Sequence, residues 1–193
     1  AVESLSNVTV LCLDKTGTLT TNRIELNETE PLDMTDKDLE YLLGAFVASV
    51  SERNRTAEAI AKAFDESELV VAEEVPFSSE RKWSALAIDD NNLRGVYVLG
   101  APEILRPNLK RDADLGSKVE EWTATGQRVL LFARRSDIIP LFDKAGEVQL
   151  PRDLSPLGLL SCADELRDDA QMTLAGFADA GVELKVISGD NPQ

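Results

Sequence analysis

One short segment combines the residue types that phosphoryl transfer to a carboxylate requires. Asp14 is followed by a lysine and then by two threonines that flank Gly17. Such a transfer needs an exposed aspartate on a rigid support, a divalent cation that screens two anions, and hydrogen-bond donors around the transferred group. Gly17 permits a tight turn, so backbone N–H groups and the threonine hydroxyls can converge on phosphate oxygens. The segment therefore predicts a phosphorylatable aspartate.

The residues before Asp14 predict the rigid support. Residues 8–13 form a short run of β-branched and apolar side chains, which is typical of a strand covered on both faces. This strand places Asp14 at its carboxyl end, where ligands bind in open α/β sheets. A threonine-rich turn after a core strand, without chemistry, is the alternative interpretation.

Residues 14–20 resemble the phosphorylation signature of the P-type ion-pumping ATPases, a branch of the haloacid-dehalogenase-like superfamily. The resemblance implies that Asp14 is the nucleophile that accepts the γ-phosphate of ATP. It implies a magnesium ion held by Asp14 and the main-chain carbonyl of Thr16, and a hydrogen bond from Thr18 to the phosphoryl group. Lys15 adds a positive charge to this catalytic segment. The implied cofactor is Mg²⁺ and the implied substrate is ATP.

A second signature follows the predicted strand 183–187. The run Ser188, Gly189, Asp190 resembles the Thr-Gly-Asp motif of the same family, with serine in place of threonine. The resemblance implies that Ser188 and Gly189 hold phosphoryl oxygens and that Asp190 orients Mg–ATP. The family's later lysine and Gly-Asp-Gly-x-Asn-Asp motifs have no counterpart. We therefore expect no steady-state ATPase turnover by this chain alone, and a catalytic domain that is incomplete at its C-terminus.

Residues 75–84 are similar to the family's adenine-pocket segment. The similarity implies that the ring of Phe77 stacks on adenine and that Lys82 reaches the purine or its phosphates. The sequence pattern by itself favours a core position for Phe77, and the resemblance reverses that preference.

The run Leu-Gly-Ala-Pro-Glu that begins at Leu99 resembles the family's Lys-Gly-Ala-Pro-Glu run, with leucine in the place of the lysine. The resemblance implies that Gly100 and Ala101 hold adenine through packing and backbone contacts. Ala57 takes the position of a glutamate that meets the adenine amino group in many members. Glu58 lies one residue out of register, about 100° away on a helix, so we do not transfer the role to it.

Two further segments carry basic residues with implied nucleotide contacts. Arg128 matches an arginine that contacts nucleotide phosphates, and a planar guanidinium can donate bidentately to phosphate. A surface ion pair is its alternative role. Residues 164–167 resemble the family's Asp-Pro-Pro-Arg hinge without its prolines, which implies that Asp164 and Arg167 touch bound nucleotide. A helix N-cap role for Asp164 is equally open.

The elements that must position these residues group into two domains. We predict a Rossmann-like α/β phosphorylation (P) domain built from residues 1–26 and 153–193. Residues 27–152 form an inserted α+β nucleotide-binding (N) domain with an antiparallel sheet. Hydrophobic periodicity predicts helices at 35–50, 56–67, 114–125 and 168–180, a short helix from Pro102, and strands at 70–77, 83–88, 93–99, 128–134, 157–163 and 183–187. The last two strands are expected in the parallel sheet of the P domain.

Composition excludes several classes of function. The chain has 193 residues, a net charge of −15 and no histidine. This charge argues against a nucleic-acid partner, and the lack of histidine excludes an imidazole base or a His-ligated metal. No apolar run approaches the ~20 residues that span a bilayer, and no secretory signal is present, so we expect no membrane contact by this chain. Cys12 and Cys162 lie in apolar runs and are predicted to be reduced core residues.

The resemblance implies an enzyme that couples ATP hydrolysis, through an aspartyl-phosphate at Asp14, to cation transport. The implied partners are ATP and the transmembrane and actuator domains of the same polypeptide, on the cytoplasmic side of a membrane such as the bacterial plasma membrane. Heavy-metal pumps use a His-Pro pair, which this chain lacks. Its nucleotide segments look more like those of bacterial calcium and light-cation pumps, so calcium is the expected ion.

Two alternatives belong to other classes. The chain could bind nucleotide as a regulatory module without phosphorylation, which the changes at Leu99 and Ala57 favour. It could also be a soluble haloacid-dehalogenase phosphatase. Those enzymes carry a second aspartate two residues after the nucleophile as general acid and base, and here that position is Thr16. A threonine there favours a long-lived acyl phosphate, as a pump requires.

Overall fold

The computed structural model describes residues 8–90, 93–111 and 115–187, without the side chains of Lys15, Thr16 and Asn22. The chain divides into two compact units. The smaller unit contains the residues up to 24 and those from 164 onward, and the larger unit contains residues 25–163.

The described residues contain both strands and helices. The strands are β1 (Val10–Asp14), β2 (Thr20–Pro31), β3 (Val71–Ser78), β4 (Trp83–Ile88), β5 (Gly95–Gly100), β6 (Arg128–Arg135), β7 (Ser155–Leu166) and β8 (Glu183–Ile187). The helices are α1 (Asp36–Ala48), α2 (Arg55–Ala63), α3 (Pro102–Leu105), α4 (Gly116–Ala124) and α5 (Ala170–Asp179). Single helical turns also occur at Lys15–Leu19 and Arg106–Asn108. None of these helices is long and apolar enough to cross a membrane.

The smaller unit contains a parallel strand pair. β1 pairs with β8, and Asp14 at the end of β1 lies opposite Ile187 at the end of β8. Helix α5 packs against β8. The prediction that Asp14 terminates a strand is confirmed, and its side chain is exposed.

The prediction that both faces of β1 are covered is wrong. Its residues alternate between exposed and half-buried, and Val10 is 42% exposed. Cys12 is also exposed, so its predicted core position is wrong, whereas Cys162 is buried as predicted. Among the described strands β1 pairs with β8 alone. One neighbouring strand leaves much of β1 accessible to water.

The larger unit is built on a six-stranded sheet of order β2-β7-β6-β5-β4-β3. The pairs β3–β4, β4–β5, β5–β6 and β6–β7 are antiparallel, which confirms the predicted antiparallel meander. Every residue of β4 and β5 is buried. These strands therefore have an apolar covering on both faces.

Different helices cover the two faces of this sheet. On one face Trp122 of α4 joins a core that includes Trp83 and Leu131. On the other face Phe46 of α1 meets Phe132 of β6 edge to face, with ring centroids 5.4 Å apart. This is a favourable aromatic geometry, and it fixes α1 on the sheet.

Side-chain caps fix the starts of the first two helices. The Thr35 hydroxyl accepts the Asp38 N–H at 3.2 Å at the start of α1, and the Asn54 carboxamide oxygen accepts the Ala57 N–H at 2.9 Å at the start of α2. Both helices agree with the predicted segments, although α2 ends at Ala63, four residues earlier than expected. There Phe64 turns to an extended conformation.

The placement of residues 157–163 in a parallel sheet is wrong. They belong to β7, which pairs antiparallel with β6, Leu131 lying opposite Leu159. Their apolar run is buried on both faces, and such a run has the same sequence pattern in parallel and antiparallel surroundings. At Gly158 a Cβ atom would lie 2.5 Å from a methyl carbon of Leu39, so the glycine lets α1 approach β7. Residues 153–163 lie in the larger unit rather than with the α/β segments.

Strand β2 is a further difference from the predicted elements. Its sequence is mostly polar and its residues are largely half-buried or exposed, so it lacks the apolar pattern that predicts a strand. The strand lies at the edge of the larger sheet, next to β7. Edge strands tolerate polar and charged side chains because much of their surface faces water.

The packing of α1 generates a stability prediction. A Cβ atom at Gly44 would overlap the backbone carbonyl of Asp65. We therefore expect Gly44→Ala to lower the free energy of unfolding by roughly 2 kcal/mol or more, although alanine favours helix by about 1 kcal/mol. Urea denaturation followed by tryptophan fluorescence measures this, because Trp83 and Trp122 are both buried in the larger unit.

The matched control is Gly176→Ala in α5. A Cβ atom there meets nothing within 4 Å, so we expect neutral or slightly higher stability by circular dichroism. Equal stability of Gly44→Ala and the unchanged chain would contradict the packing described for α1.

Candidate functional site

A cavity of about 460 Å³ lies in the larger unit. Its apolar lining is Phe46, Val50, Ala57, Pro76, Phe77, Leu99, Gly100, Ala101, Val129 and Leu130. Its polar lining is Glu52, Asn54, Thr56, Glu74, Ser79, Lys82, Ser84, Glu103 and Arg128. This volume, with an apolar wall and convergent polar groups, is typical of a site for a small molecule. The cavity brings together five of the predicted nucleotide-binding residues: Phe77, Lys82, Gly100, Ala101 and Arg128.

A β-bulge turns Phe77 toward the cavity. Val75 pairs with Ala85 and Ser78 pairs with Trp83, so β3 has one residue more than β4 over this stretch. Pro76 and Phe77 therefore both line the cavity, although neighbouring residues of a regular strand face opposite sides. Phe77 is 46% exposed, so it is not a core residue. Its ring is accessible to a ligand.

Lys82 has an unusual and well-fixed backbone. Its φ angle is +59°, in the left-handed region. Its N–H donates to the Ser78 carbonyl at 2.7 Å, and its carbonyl accepts the Ala101 N–H at 3.0 Å. Its ammonium group lies 3.1 Å from the Glu103 carboxylate. The backbone thus holds the base of the lysine side chain at the cavity.

Gly100 has a packing role in addition to any contact with a ligand. It lies opposite Trp83 across the β4–β5 pair, and a Cβ atom on it would come 2.5 Å from the Cβ atom of Trp83. Only glycine fits there without displacing a strand. Leu99, the residue before it, is 7% exposed and adds an apolar side chain to the cavity wall.

Arg128 begins β6 at the cavity. Within the described part of the chain its guanidinium pairs with no carboxylate, so the alternative role of a surface ion pair is not borne out. Arg128 lies opposite Cys162 in the β6–β7 pair, and its charge lowers the pKa of that thiol against the larger effect of burial. An exposed guanidinium beside an apolar cavity is suited to bind an anion.

Three carboxylates of the cavity were not predicted as site residues: Glu52, Glu74 and Glu103, the last of which ends the run that resembles Lys-Gly-Ala-Pro-Glu. Glu74 lies on β3, and both of its carboxylate oxygens accept a hydrogen bond from the Ser51 N–H at 3.1 Å. Its place at the cavity depends on the pairing of β3 with β4 and on the bulge that follows it, which no local sequence pattern indicates. Glu52 lies between α1 and α2, where no periodic pattern applies. Glu58 is absent from the lining.

The segment after Asp14 forms a tight turn at Lys15–Leu19 in the smaller unit. Gly17 has a φ of +80°, as a glycine-dependent turn requires, and its N–H donates to the Thr20 hydroxyl at 3.1 Å. Thr20 is only 1% exposed, so this hydrogen bond anchors the turn to a buried residue. Thr18 is exposed. The side chains of Lys15 and Thr16 lie outside what the structure describes.

Arg167 binds this turn. Its N–H donates to the Leu19 carbonyl at 3.0 Å, and its guanidinium donates to the Gly17 carbonyl at 3.1 Å. Asp164 lies within β7, and α5 begins at Ala170 after Asp169, so an N-cap role for Asp164 is wrong. The hinge-like segment therefore places its arginine against the Asp14 turn.

The second predicted signature lies outside the described residues. Ser188, Gly189 and Asp190 follow β8, whose last residue lies opposite Asp14. Their predicted roles remain predictions. Within the described residues, no group of three or more cysteine, aspartate or glutamate side chains is placed to hold a metal ion.

Curated proteins similar to this chain are named as ATPases. The "Calcium-transporting ATPase CtpE" of Mycobacterium tuberculosis is 37% identical over 194 residues, which cover 99% of this chain and 23% of the relative. The "Probable cation-transporting ATPase exp7" of Streptococcus pneumoniae is 34% identical over 195 residues, and "Plasma membrane ATPase 2" of Saccharomyces cerevisiae is 30% identical over 211. These cover 100% and 98% of this chain and 23% and 21% of the relatives. The chain thus spans less than a quarter of the length of these relatives.

Solved structures agree with the fold. A crystal structure of a zinc-transporting PIB-type ATPase in the E2.Pi state matches all of this chain with a TM-score of 0.68 at 22% identity, and the match covers 27% of that chain. At this identity the likeness concerns the fold, and it confirms the predicted fold class. No protein-family model matches the chain. The resemblance inferred from the motifs is confirmed along the whole sequence by the curated relatives.

The two thiols generate a prediction about their burial. Burial raises the pKa of Cys162 to about 11, whereas Cys12 is exposed. Because the thiolate is the reactive form, we expect one fast-reacting thiol in the native chain at pH 8 and two in denaturant. Reaction with a disulfide reagent, followed by absorbance, measures this. Cys12→Ser is the control, and a fast-reacting native thiol in that variant would contradict the burial of Cys162.

Proposed function

Since the chain belongs to the P-type ATPases, we propose that its larger unit binds ATP in the cavity beside Phe77 and that Asp14 of its smaller unit accepts the γ-phosphate. The observation that carries the first part is the convergence of Phe77, Lys82 and Arg128 on one cavity. These residues come from three separate segments that resemble nucleotide-binding segments of the family. The cavity of about 460 Å³ is of a suitable size for a nucleotide base.

The lining supplies a different contact for each part of ATP. The exposed ring of Phe77 offers a stacking face for adenine, and the neighbouring apolar side chains exclude water from the purine. Arg128 and Lys82 supply the positive charges for the phosphates. The guanidinium suits this role because its planar fork can donate two hydrogen bonds to one phosphate. Leu99 contributes packing where the family run has a cation.

Asp14 is suited to accept the phosphoryl group by its place and exposure. It stands at the end of β1, and the turn that follows is held by Thr20 and Arg167. Mg²⁺ would be held by the Asp14 carboxylate and the main-chain carbonyl of Thr16, and when bound it reduces the repulsion between the carboxylate and the phosphates. A rigid turn keeps the nucleophile oriented, so less ordering is required at the moment of transfer.

The whole protein would couple this phosphorylation to cation transport across a membrane. We propose that the transmembrane and actuator domains of the same polypeptide are its partners and that this chain lies on the cytoplasmic side. Calcium is the proposed ion, because the relative CtpE is named as a calcium-transporting ATPase and the nucleotide segments resemble those of calcium and light-cation pumps.

A second candidate function is nucleotide binding without phosphorylation. The observation that favours it is the closed turn after Asp14, in which the Gly17 N–H donates to Thr20 and the Gly17 carbonyl accepts from Arg167. The Gly17 N–H, a donor that a phosphoryl oxygen could accept, is then engaged within the turn. A soluble phosphatase is less favoured, because Thr16 replaces the aspartate that would serve as its general acid and base.

The stacking role of Phe77 predicts a large loss of affinity on truncation. We expect Phe77→Ala to weaken binding of a non-hydrolysable ATP analogue at least tenfold, because the adenine loses its aromatic face. Titration calorimetry in the presence of Mg²⁺ measures this. The control is Tyr41→Ala, which removes a half-exposed aromatic ring of α1 that does not line the cavity. Equal losses in the two variants would argue against a specific stacking site.

Substitution of Arg128 distinguishes the contribution of the phosphates to binding from that of the base. We expect Arg128→Gln to weaken the ATP analogue about tenfold, because a charge-assisted contact is lost, and to leave adenosine binding unchanged. Arg111→Gln removes the same charge from an exposed residue outside the lining and should have little effect. A parallel loss of adenosine affinity would mean that Arg128 acts through the base or the cavity wall.

A further inference from the structure

An ion pair connects Lys82 and Glu103, which both line the cavity. The ammonium nitrogen of Lys82 lies 3.1 Å from Oε1 of Glu103, and the two side chains are 55% and 60% exposed. An ion pair this exposed contributes little to stability, because water screens it on most sides. Separating the two side chains therefore costs little free energy. Because both side chains line the cavity, the ion pair also affects how the cavity binds a ligand.

The fold holds the two partners together. Lys82 has its left-handed backbone fixed by the Ser78 carbonyl, and its own carbonyl accepts the Ala101 N–H. Ala101 directly precedes α3, in which Glu103 is the second residue. A glutamate in the first turn also suits the helix dipole, but α3 has only four residues, so that effect is small. The contact with Lys82 follows from the pairing of these two backbone segments.

The charges around the cavity make this contact matter to an anionic ligand. Among the described lining residues the carboxylates are Glu52, Glu74 and Glu103, and the cations are Lys82 and Arg128. Within the described residues Arg128 pairs with no carboxylate, whereas Lys82 is held by Glu103. One of the two lining cations therefore already has a carboxylate partner.

We propose that Glu103 competes with the phosphates of a bound nucleotide for Lys82 and so sets the affinity of the cavity for phosphorylated purines. This inference rests on the proposed ATP site. A phosphate that approaches Lys82 must displace the Glu103 carboxylate or accept its repulsion at close range. A nucleoside without phosphates makes neither demand. Glu103 thereby lowers the preference of the cavity for the nucleotide over the nucleoside.

A double-mutant cycle tests the competition. Calorimetric titrations with a non-hydrolysable ATP analogue and with adenosine compare the unchanged chain, Glu103→Gln, Lys82→Gln and the double variant. We expect Glu103→Gln to bind the analogue roughly fivefold more tightly and adenosine unchanged. In the Lys82→Gln background the same change should give no gain, because the contested cation is absent. The control is Glu80→Gln. Glu80 lies two residues before Lys82, and its carboxylate does not line the cavity.

The other outcomes are distinguishable. Weaker or unchanged binding of the analogue by Glu103→Gln, while the unchanged chain binds it, overturns the competition and leaves the ATP site standing. An equal gain in Glu80→Gln, or a gain that persists without Lys82, overturns it in favour of a general charge effect. Failure of the unchanged chain and of all variants to bind either ligand refutes the ATP site and the competition with it.

Discussion

The close approach of β4 and β5 at Trp83 and Gly100 is the constraint on which the cavity depends. Antiparallel neighbours place the start of one strand beside the end of the next. The start of β4, the end of β5 and the start of β6 therefore lie side by side, at the same end of these three neighbouring strands. Lys82 immediately precedes β4, Ala101 follows β5 and Arg128 begins β6, so the pairing itself brings these residues together. Gly100 is required because a side chain there would separate the strands.

A bulge in β3 adds a further residue to the site that the regular strand pairing forms. The bulge between Val75 and Ser78 turns Phe77 out of the core and onto the cavity wall. In the smaller unit a different arrangement is used, in which one buried threonine and one arginine fix the turn after Asp14. Both arrangements place a functional side chain by holding the backbone next to it. Each residue of interest is thus exposed while its backbone is fixed.

The sequence allowed much of the site to be predicted, because the chemistry lies in short contiguous segments. Phe77, Lys82 and Arg128 were each recognised from a few neighbouring residues, and the structure brings them to one cavity. Glu52 and Glu74 were missed, since their positions depend on the packing of loops and on a strand pairing that no local pattern encodes. The same limit explains β7, whose apolar run fits a parallel strand as well as the antiparallel one observed. The polar edge strand β2 and the exposure of Cys12 depend on which strands are neighbours, and periodicity does not specify that.

The central claim is that the cavity beside Phe77 binds an adenine nucleotide. A crystal structure of the chain grown with Mg²⁺ and a saturating non-hydrolysable ATP analogue tests it most directly. The account predicts adenine stacked on the ring of Phe77, with phosphate oxygens within hydrogen-bond distance of Arg128. Nucleotide bound at another surface, with this cavity empty, would contradict it.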